Sequence, residues 1–321
     1  MATAKQVSLE RLEILAHVAE LYFVQGLNQA QIAQRTSYSR SMISRLLSEA
    51  RDRGVVEIRI HHPLRRAAAL EQTFQSRFGL KQVRIVEVSP TANDAQARVG
   101  MLAAQVVSEC VQDDDIVGVA WGSTLSTVAS ALRTQLRRGV RVVQMLGSVG
   151  TRTPELDGVD IARRIARAFG ATYLTLPAPL LTSDERTSEA LLRDERIREV
   201  LALARRARIA LVGIGAVDPA HSALVQSGFL KPSQAVETRK AGAVGDVCAI
   251  PFDIDGRLLD LPWTRRRVGI DPSSLMRIPL RIGIAQGEVK AQAILGALRS
   301  RLINALVTDD LTAAAILRES A

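Results

Sequence analysis

The chain has 321 residues, enough for a small module beside one large domain, and its 42 lysine and arginine residues against 33 aspartate and glutamate give a formal net charge of +9. That excess favours polyanionic partners without specifying a fold, and the two cysteines, Cys110 and Cys248, each inside an apolar stretch, exclude a disulfide framework and any thiolate metal spacing. The first six residues lack the apolar core of a signal peptide and no apolar run has membrane-spanning length, so a soluble cytoplasmic protein with no membrane partner is expected.

Residues 8–25 have helical spacing, with Leu12, Leu15, Ala16, Ala19 and Phe23 on one side, and supply a helix to pack behind a following pair. That pair lies in residues 26–54, GLNQAQIAQRTSYSRSMISRLLSEARDRG. Its first segment carries Leu27, Ile32 and Ala33 as an apolar face, with Asn28 as N-cap and Gln31 three residues on, the pattern of a capping box. The second opens at Ser39, carries Ile43, Leu46, Leu47 and Ala50 inward, and stops at Gly54, where a left-handed cap costs glycine little. The outward face then presents Arg40, Ser41, Ser44, Arg45 and Glu49. An arginine can bind guanine in bidentate fashion, and short hydroxyl side chains let a helix approach the groove closely. Agreement among caps, spacing, turn and basic face predicts a DNA-reading helix-turn-helix rather than a solvated hairpin. Ser39, Arg40, Ser41, Ser44 and Arg45 are its expected DNA contacts, with Gln29 at the start of the preceding helix.

Residues 55–60 alternate Val56, Ile58 and Ile60 with Glu57 and Arg59, as a small wing strand would. His61 and His62 adjoin no carboxylate or thiol cluster and are assigned to a linker, not a metal site. Residues 64–78 resume helical spacing with Leu70, Phe74 and Phe78. The expected organisation is a DNA-binding domain over 1–60, a linker helix over 61–80, and one large domain over 81–321.

From residue 81 strand-like and helical runs alternate. Strands are predicted over 83–88, 116–120, 140–146, 172–176, 209–212 and 282–285, with a last short one at 307–309; helices fall at 95–110, 125–136, 158–169, 183–206 and 291–302. The rhythm predicts an α/β fold, a doubly wound parallel sheet covered on both faces. Such a sheet binds ligands at the carboxyl ends of its strands, beside the point where strand order reverses.

Three glycine loops fall at strand ends. Gly122, Ser123 and Thr124 offer amides, two hydroxyls and the positive end of a helix dipole to an anion such as phosphate. Gly147-Ser148-Val149-Gly150 and Gly213-Ile214-Gly215 let backbone approach a ligand closely, although each alone could simply be a tight turn. Within AGAVGDVCAIPFDIDG, Asp246 and Asp253 are paired carboxylates that suit acid/base catalysis or recognition of sugar hydroxyls. Lys290, near a helix start, is either an ammonium for a phosphate or carboxylate or a solvated side chain. No motif calls for a cofactor.

These residues resemble the SorC family of bacterial sugar-responsive transcriptional regulators: the N-terminal module, WGST at 121–124, GIGAV at 213–217, GAVGDV at 242–247, FDIDG at 252–256 and GEVKAQAILGALRSRLINALVTD at 287–309, in the family's order over nearly the whole chain. The resemblance implies a helix-turn-helix, DeoR-like and winged, joined to an effector domain similar to the sugar-phosphate isomerase and deaminase fold. It implies homo-oligomers, often tetramers, that bind double-stranded operator DNA under control of a sugar, polyol or sugar-phosphate effector, without being enzymes. By position, Gly122, Ser123, Thr124, Gly147 and Ser148 would surround a phosphate, Gly213 would line the same edge, and Asp246, Asp253 and Lys290 would approach the hydroxyl end. Some relatives place a Schiff-base lysine before the second glycine loop; here Gln144, Met145 and Leu146 stand there, so covalent capture is not expected. The alternative is a sugar-phosphate isomerase or hydrolase with an appended DNA-binding arm, using Asp246 or Asp253 as base.

Overall fold

The computed structural model describes residues 2–56, 64–89, 94–150 and 154–320, with side chains from residue 9 onward. Two compact units divide the chain, residues 1–62 and 63–321.

The first unit holds α1 (Ala2–Ala19), continued by a wider turn over Glu20–Val24, then α2 (Gln29–Arg35) and α3 (Arg40–Asp52). Leu15, Val18, Ala19 and Leu21 meet Ile32, Ile43, Leu46, Leu47 and Ala50 in one apolar cluster. On α1 the buried stripe is rotated from the expected one: Ala16 and Phe23 face outward while Val18 and Leu21 point in. The wider turn at Glu20–Val24 sets the phase of the segment's end, which a regular 3.6-residue count misses. Residues 57–60 of the expected wing strand, and His61 and His62, lie outside the described residues.

The second unit begins with α4 (Ala68–Phe78), which occupies the expected linker helix. Buried Glu71 accepts the Ile85 amide at 2.9 Å and pairs with Arg66, and Phe74 joins the large core, so α4 is an integral layer of this unit. Along the chain follow β1 (Gln82–Val86), α5 (Ala95–Cys110), β2 (Ile116–Val119), α6 (Ser123–Ala131), β3 (Arg141–Gln144), α7 (Gly158–Phe169), β4 (Thr172–Leu174), α8 (Glu185–Arg193), α9 (Glu195–Ala204) and β5 (Ile209–Gly213). Then come β6 (Gly215–Ala216), α10 (Ala223–Gln226), α11 (Pro232–Lys240), β7 (Gly245–Val247), β8 (Ile250–Phe252), α12 (Pro272–Arg277), β9 (Leu280–Ile284), α13 (Ala291–Arg299), β10 (Ala305–Asp309) and α14 (Asp310–Glu319).

Seven strands form one sheet in the order β1-β10-β9-β5-β2-β3-β4, and every pairing is parallel. The central strands β2 and β5 are buried almost throughout, as a sheet covered on both faces requires. From β2 the chain moves outward through β3 to β4, then β5 returns to the other side of β2 and β9 and β10 continue away. Strand order therefore reverses between β2 and β5, and the loops leaving these two strands part around a crevice.

Three local expectations change. The helix expected over 183–206 is two, because Asp194 leaves helical geometry and its side chain accepts the Arg196 amide, capping α9. The helix expected over 125–136 ends at Ala131. The expected third loop is half strand: β6 opens a small antiparallel sheet, β6-β7-β8, whose two-residue turn at Cys248 and Ala249 has positive φ without glycine.

Candidate functional site

At the crevice between β2 and β5 one cavity is lined by Gly122, Ser123, Thr124, Gly213, Ile214, Gly215, Asp246 and Lys290, closed at its sides by Trp121, Leu224 and Cys248. Gly122 caps α6 with φ of 120°, a conformation that only glycine adopts freely, and its own amide is spent on the Leu156 carbonyl at 3.0 Å. No side chain caps α6, so the amides of its first turn and the positive helix end face the cavity mouth. Thr124 is buried and Ser123 exposed. An anion fits this corner.

The opposite wall is built by the small sheet. Asp246 and Gly215 are register partners on β7 and β6, and Asp246 is partly buried against them. Its Oδ2 accepts the Ala249 amide at 3.0 Å. Burial pushes the Asp246 carboxyl up to about 6, opposed by that amide and by the Lys290 charge. Lys290 donates to the Ile214 carbonyl at 3.1 Å, and burial lowers its affinity for a proton while Asp246 raises it. Carboxyl and ammonium thus share one enclosure with an anion-favouring helix end. His221, not anticipated from the sequence, also reaches the cavity; its Nδ1 lies 3.4 Å from Asp218. Cys248 lines the wall too, but burial pushes its thiol up to about 12, which leaves it an inert apolar surface.

Three anticipated residues lie elsewhere. Asp253 folds back on its own turn, its Oδ1 accepting the Asp255 and Arg257 amides at 3.0 and 2.8 Å. Ser148 bonds the buried Asp157, whose Oδ2 also takes the Val149 and Gly150 amides at 3.0 Å each, while Oδ1 caps α7 at the Val159 amide, 2.9 Å. Gly147 is required by packing, since a Cβ there would lie 2.3 Å from the Pro179 carbonyl oxygen. Asp157 thus organises the second glycine loop from inside, and its place before an apolar helical run was the available signal. Gln144 is buried at the end of β3, where it accepts the Leu176 amide at 3.0 Å. Among the described residues no His, Cys, Asp and Glu cluster could hold a metal ion, and no helix is long and apolar enough to cross a membrane.

In the first unit the capping box is present: Asn28 Oδ1 accepts the Ala30 and Gln31 amides at 3.1 and 3.0 Å, and Gln31 returns a bond to the Asn28 amide. Ser39 caps α3 by accepting the Met42 amide at 3.3 Å. Arg40, Ser41, Ser44 and Arg45 are all exposed along the first half of α3, and Gln29 is half-buried at the start of α2. Glu49 is drawn off that face by Arg11 at 2.6 Å and Arg53 at 2.8 Å, so its charge does not oppose the arginines.

The family model described as "Putative sugar-binding domain" matches residues 62–318. Transcriptional regulator LsrR of Klebsiella pneumoniae subsp. pneumoniae is 33% identical over 314 residues, spanning 97% of this chain and 94% of that protein. The deoxyribonucleoside regulator of Bacillus subtilis (strain 168) is 29% identical over 312 residues, spanning 97% of this chain and 99% of its own. The crystal structure of the full-length sorbitol operon regulator SorC from Klebsiella pneumoniae superposes with a TM-score of 0.73 at 28% identity, over 96% of this chain and 99% of that one.

Proposed function

The chain belongs to the SorC family and is a sugar-responsive, DNA-binding transcriptional regulator; on that premise we propose that the crevice between β2 and β5 holds a phosphorylated sugar or polyol and that α3 reads the operator. One observation carries the effector half: a single cavity gathers an uncapped helix end with two hydroxyls, a half-buried ammonium and a carboxyl. The phosphate sits at Gly122, Ser123 and Thr124, where first-turn amides and the helix dipole offset its charge. Gly213 leaves the backbone open beside it. Asp246 and Lys290 take the hydroxyl end, Asp246 accepting and Lys290 donating. Gly147, Ser148 and Asp253 act at one remove, by shaping loops.

On the DNA side, Ser39, Arg40, Ser41, Ser44 and Arg45 make the contacts, Arg45 to a base edge, with Gln29 at the phosphates. The chain works in the cytoplasm as a homo-oligomer, most economically a tetramer, in which paired copies of α3 span adjacent half-sites. The effector shifts a balance between arrangements that fit the operator and ones that do not.

The cavity serves binding and not turnover. The relatives bear the names of regulators, and Asp246 is committed to the Ala249 amide on one oxygen. Thermal-shift assays against sugars, polyols and their phosphates test the proposal, because selective binding to the native state raises its stability. A phosphorylated compound that stabilises the parent but not a Thr124→Trp variant is expected. Equal stabilisation of both, or measurable turnover of any compound that Asp246→Asn abolishes, would replace it.

A further inference from the structure

Lys290 stands at the junction of a short 3₁₀ turn and α13, whose N-cap position it fills. It ends the turn Glu288–Lys290, which follows Gly287 at φ 101°. The Lys290 amide closes that turn on the Gly287 carbonyl at 2.9 Å, so the direction of the side chain follows from how Gly287 is held. The Gly287 amide donates to the hydroxyl of Thr312 at 2.7 Å. Thr312 is wholly buried in the first turn of α14, and its hydroxyl in turn donates to Asp309 Oδ2 at 2.6 Å. The other oxygen of Asp309 accepts the Thr312 amide at 2.8 Å and so caps the same helix. Both hydrogen-bonding functions of one hydroxyl are therefore used to join the end of β10, the start of α14 and the turn that carries Lys290.

A helix cap needs only one carboxylate oxygen and one amide. The second oxygen of Asp309 serves no cap. It orients the Thr312 hydroxyl so that its lone pair faces Gly287, and this is the arrangement expected of a support for the turn. Arg318 on α14 pairs with Glu288 of the turn at 2.9 Å, but both side chains are exposed and such a pair holds little. The buried hydroxyl is the stronger tie.

We propose that Thr312, oriented by Asp309, is the positioning residue for Lys290: it fixes the turn after Gly287 so that the Lys290 ammonium is held against the Ile214 carbonyl inside the effector cavity. The role of that cavity rests on the function proposed above, whereas the geometry of the clamp does not. Sequence spacing hides the link, because residues 287, 309 and 312 meet only when β9 and β10 pair.

Lys290 itself is the reporter. The chain has five lysines, so reductive ¹³C-dimethylation gives few side-chain resonances, and a Lys290→Arg variant identifies the one that matters. Thr312→Val keeps the buried shape and removes the hydroxyl; the Lys290 signal is expected to move and its titration midpoint to rise toward that of an exposed lysine. Thr312→Ser keeps the hydroxyl and should return both to the parent values. Where Thr312→Val fails to fold, Asp309→Asn is the second variant, with the same shift expected. A Lys290 signal that stays in place in the folded variant, or that Thr312→Ser moves as far as Thr312→Val, would overturn the proposal. A thermal-shift titration of the parent with inorganic phosphate separates the two ideas: if phosphate gives no stabilisation, the anion-binding role of the cavity fails, while the valine and serine comparison still decides the clamp.

Discussion

Gly215 and Asp246 stand opposite one another on antiparallel β6 and β7, and a Cβ built on Gly215 would lie 2.2 Å from Asp246 Oδ1. The missing side chain of one residue is the space occupied by the carboxylate of the other. Cross-strand partners on one face are the nearest neighbours a strand residue has, so this space cannot come from elsewhere.

Gly215→Ala should therefore displace the Asp246 carboxylate and weaken effector binding at least about tenfold, equivalent to about 1.4 kcal/mol. Operator binding without effector should be unchanged. Isothermal titration with the compound selected by thermal shift, beside a fluorescence anisotropy assay on operator DNA, measures both. An alanine variant with parental effector affinity would mean that Asp246 is not a ligand contact.

The Asp246 carboxyl also gives a pH signature. Its folded value of about 6 lies above the unfolded value of about 3.9, so the folded state holds an extra proton between the two. Its contribution to stability is full below about pH 4 and is lost as pH rises through about 6. The loss is on the order of 3 kcal/mol. Asp246→Asn does not titrate, so its stability relative to the parent should increase between pH 4 and 6.5 and then level off, as read by urea unfolding. A constant difference across that window would show that burial does not perturb this carboxyl.

Asp157 and Asp253 should behave oppositely to their prominence in the sequence. Asp157→Ala removes a buried carboxylate that holds the second glycine loop and caps α7. It should cost about 2–4 kcal/mol of stability in denaturant titrations. Asp253→Ala removes two turn hydrogen bonds near the surface and should cost about 1–2 kcal/mol while leaving effector affinity intact. A large loss of effector affinity in the Asp253 variant would return that residue to the pocket.

On α3, Arg45→Ala should weaken operator binding by about 1–3 kcal/mol and random duplex far less. Equal losses on both would reassign Arg45 to a phosphate. Glu49→Gln frees Arg11 and Arg53 without touching the reading face, and should change the salt dependence of binding more than its sequence preference.

How far the sequence disclosed this molecule can be judged from particular stretches. Helices Ala95–Cys110 and Gly158–Phe169 have the predicted bounds; in the second, apolar periodicity coincides with end signals, Asp157 as N-cap and Gly170 as left-handed C-cap, whereas the first has its periodicity alone. Residues 245–252 escaped, since three-residue strands leave no countable alternation and the Cys248-Ala249 turn has none of the usual turn residues. Asp246 and Asp253 looked equivalent in sequence; only the pairing of β6 with β7 turns one toward the crevice and leaves the other on its own loop. Ser148 and Gly147 are explained by Asp157 and Pro179, contacts that no local pattern encodes. The crevice itself was foreseeable from the alternation of strands and helices, because reversal of strand order follows from topology rather than from any single residue.

The most direct test of the account is an anisotropy titration of purified protein onto the labelled promoter region upstream of its own gene, at moderate salt, with and without each phosphorylated sugar and polyol. Specific, salt-dependent binding is predicted, with a midpoint that at least one phosphorylated compound moves tenfold or more and that Thr124→Trp renders insensitive. Binding no tighter than to random duplex, or a midpoint indifferent to every compound, would contradict it.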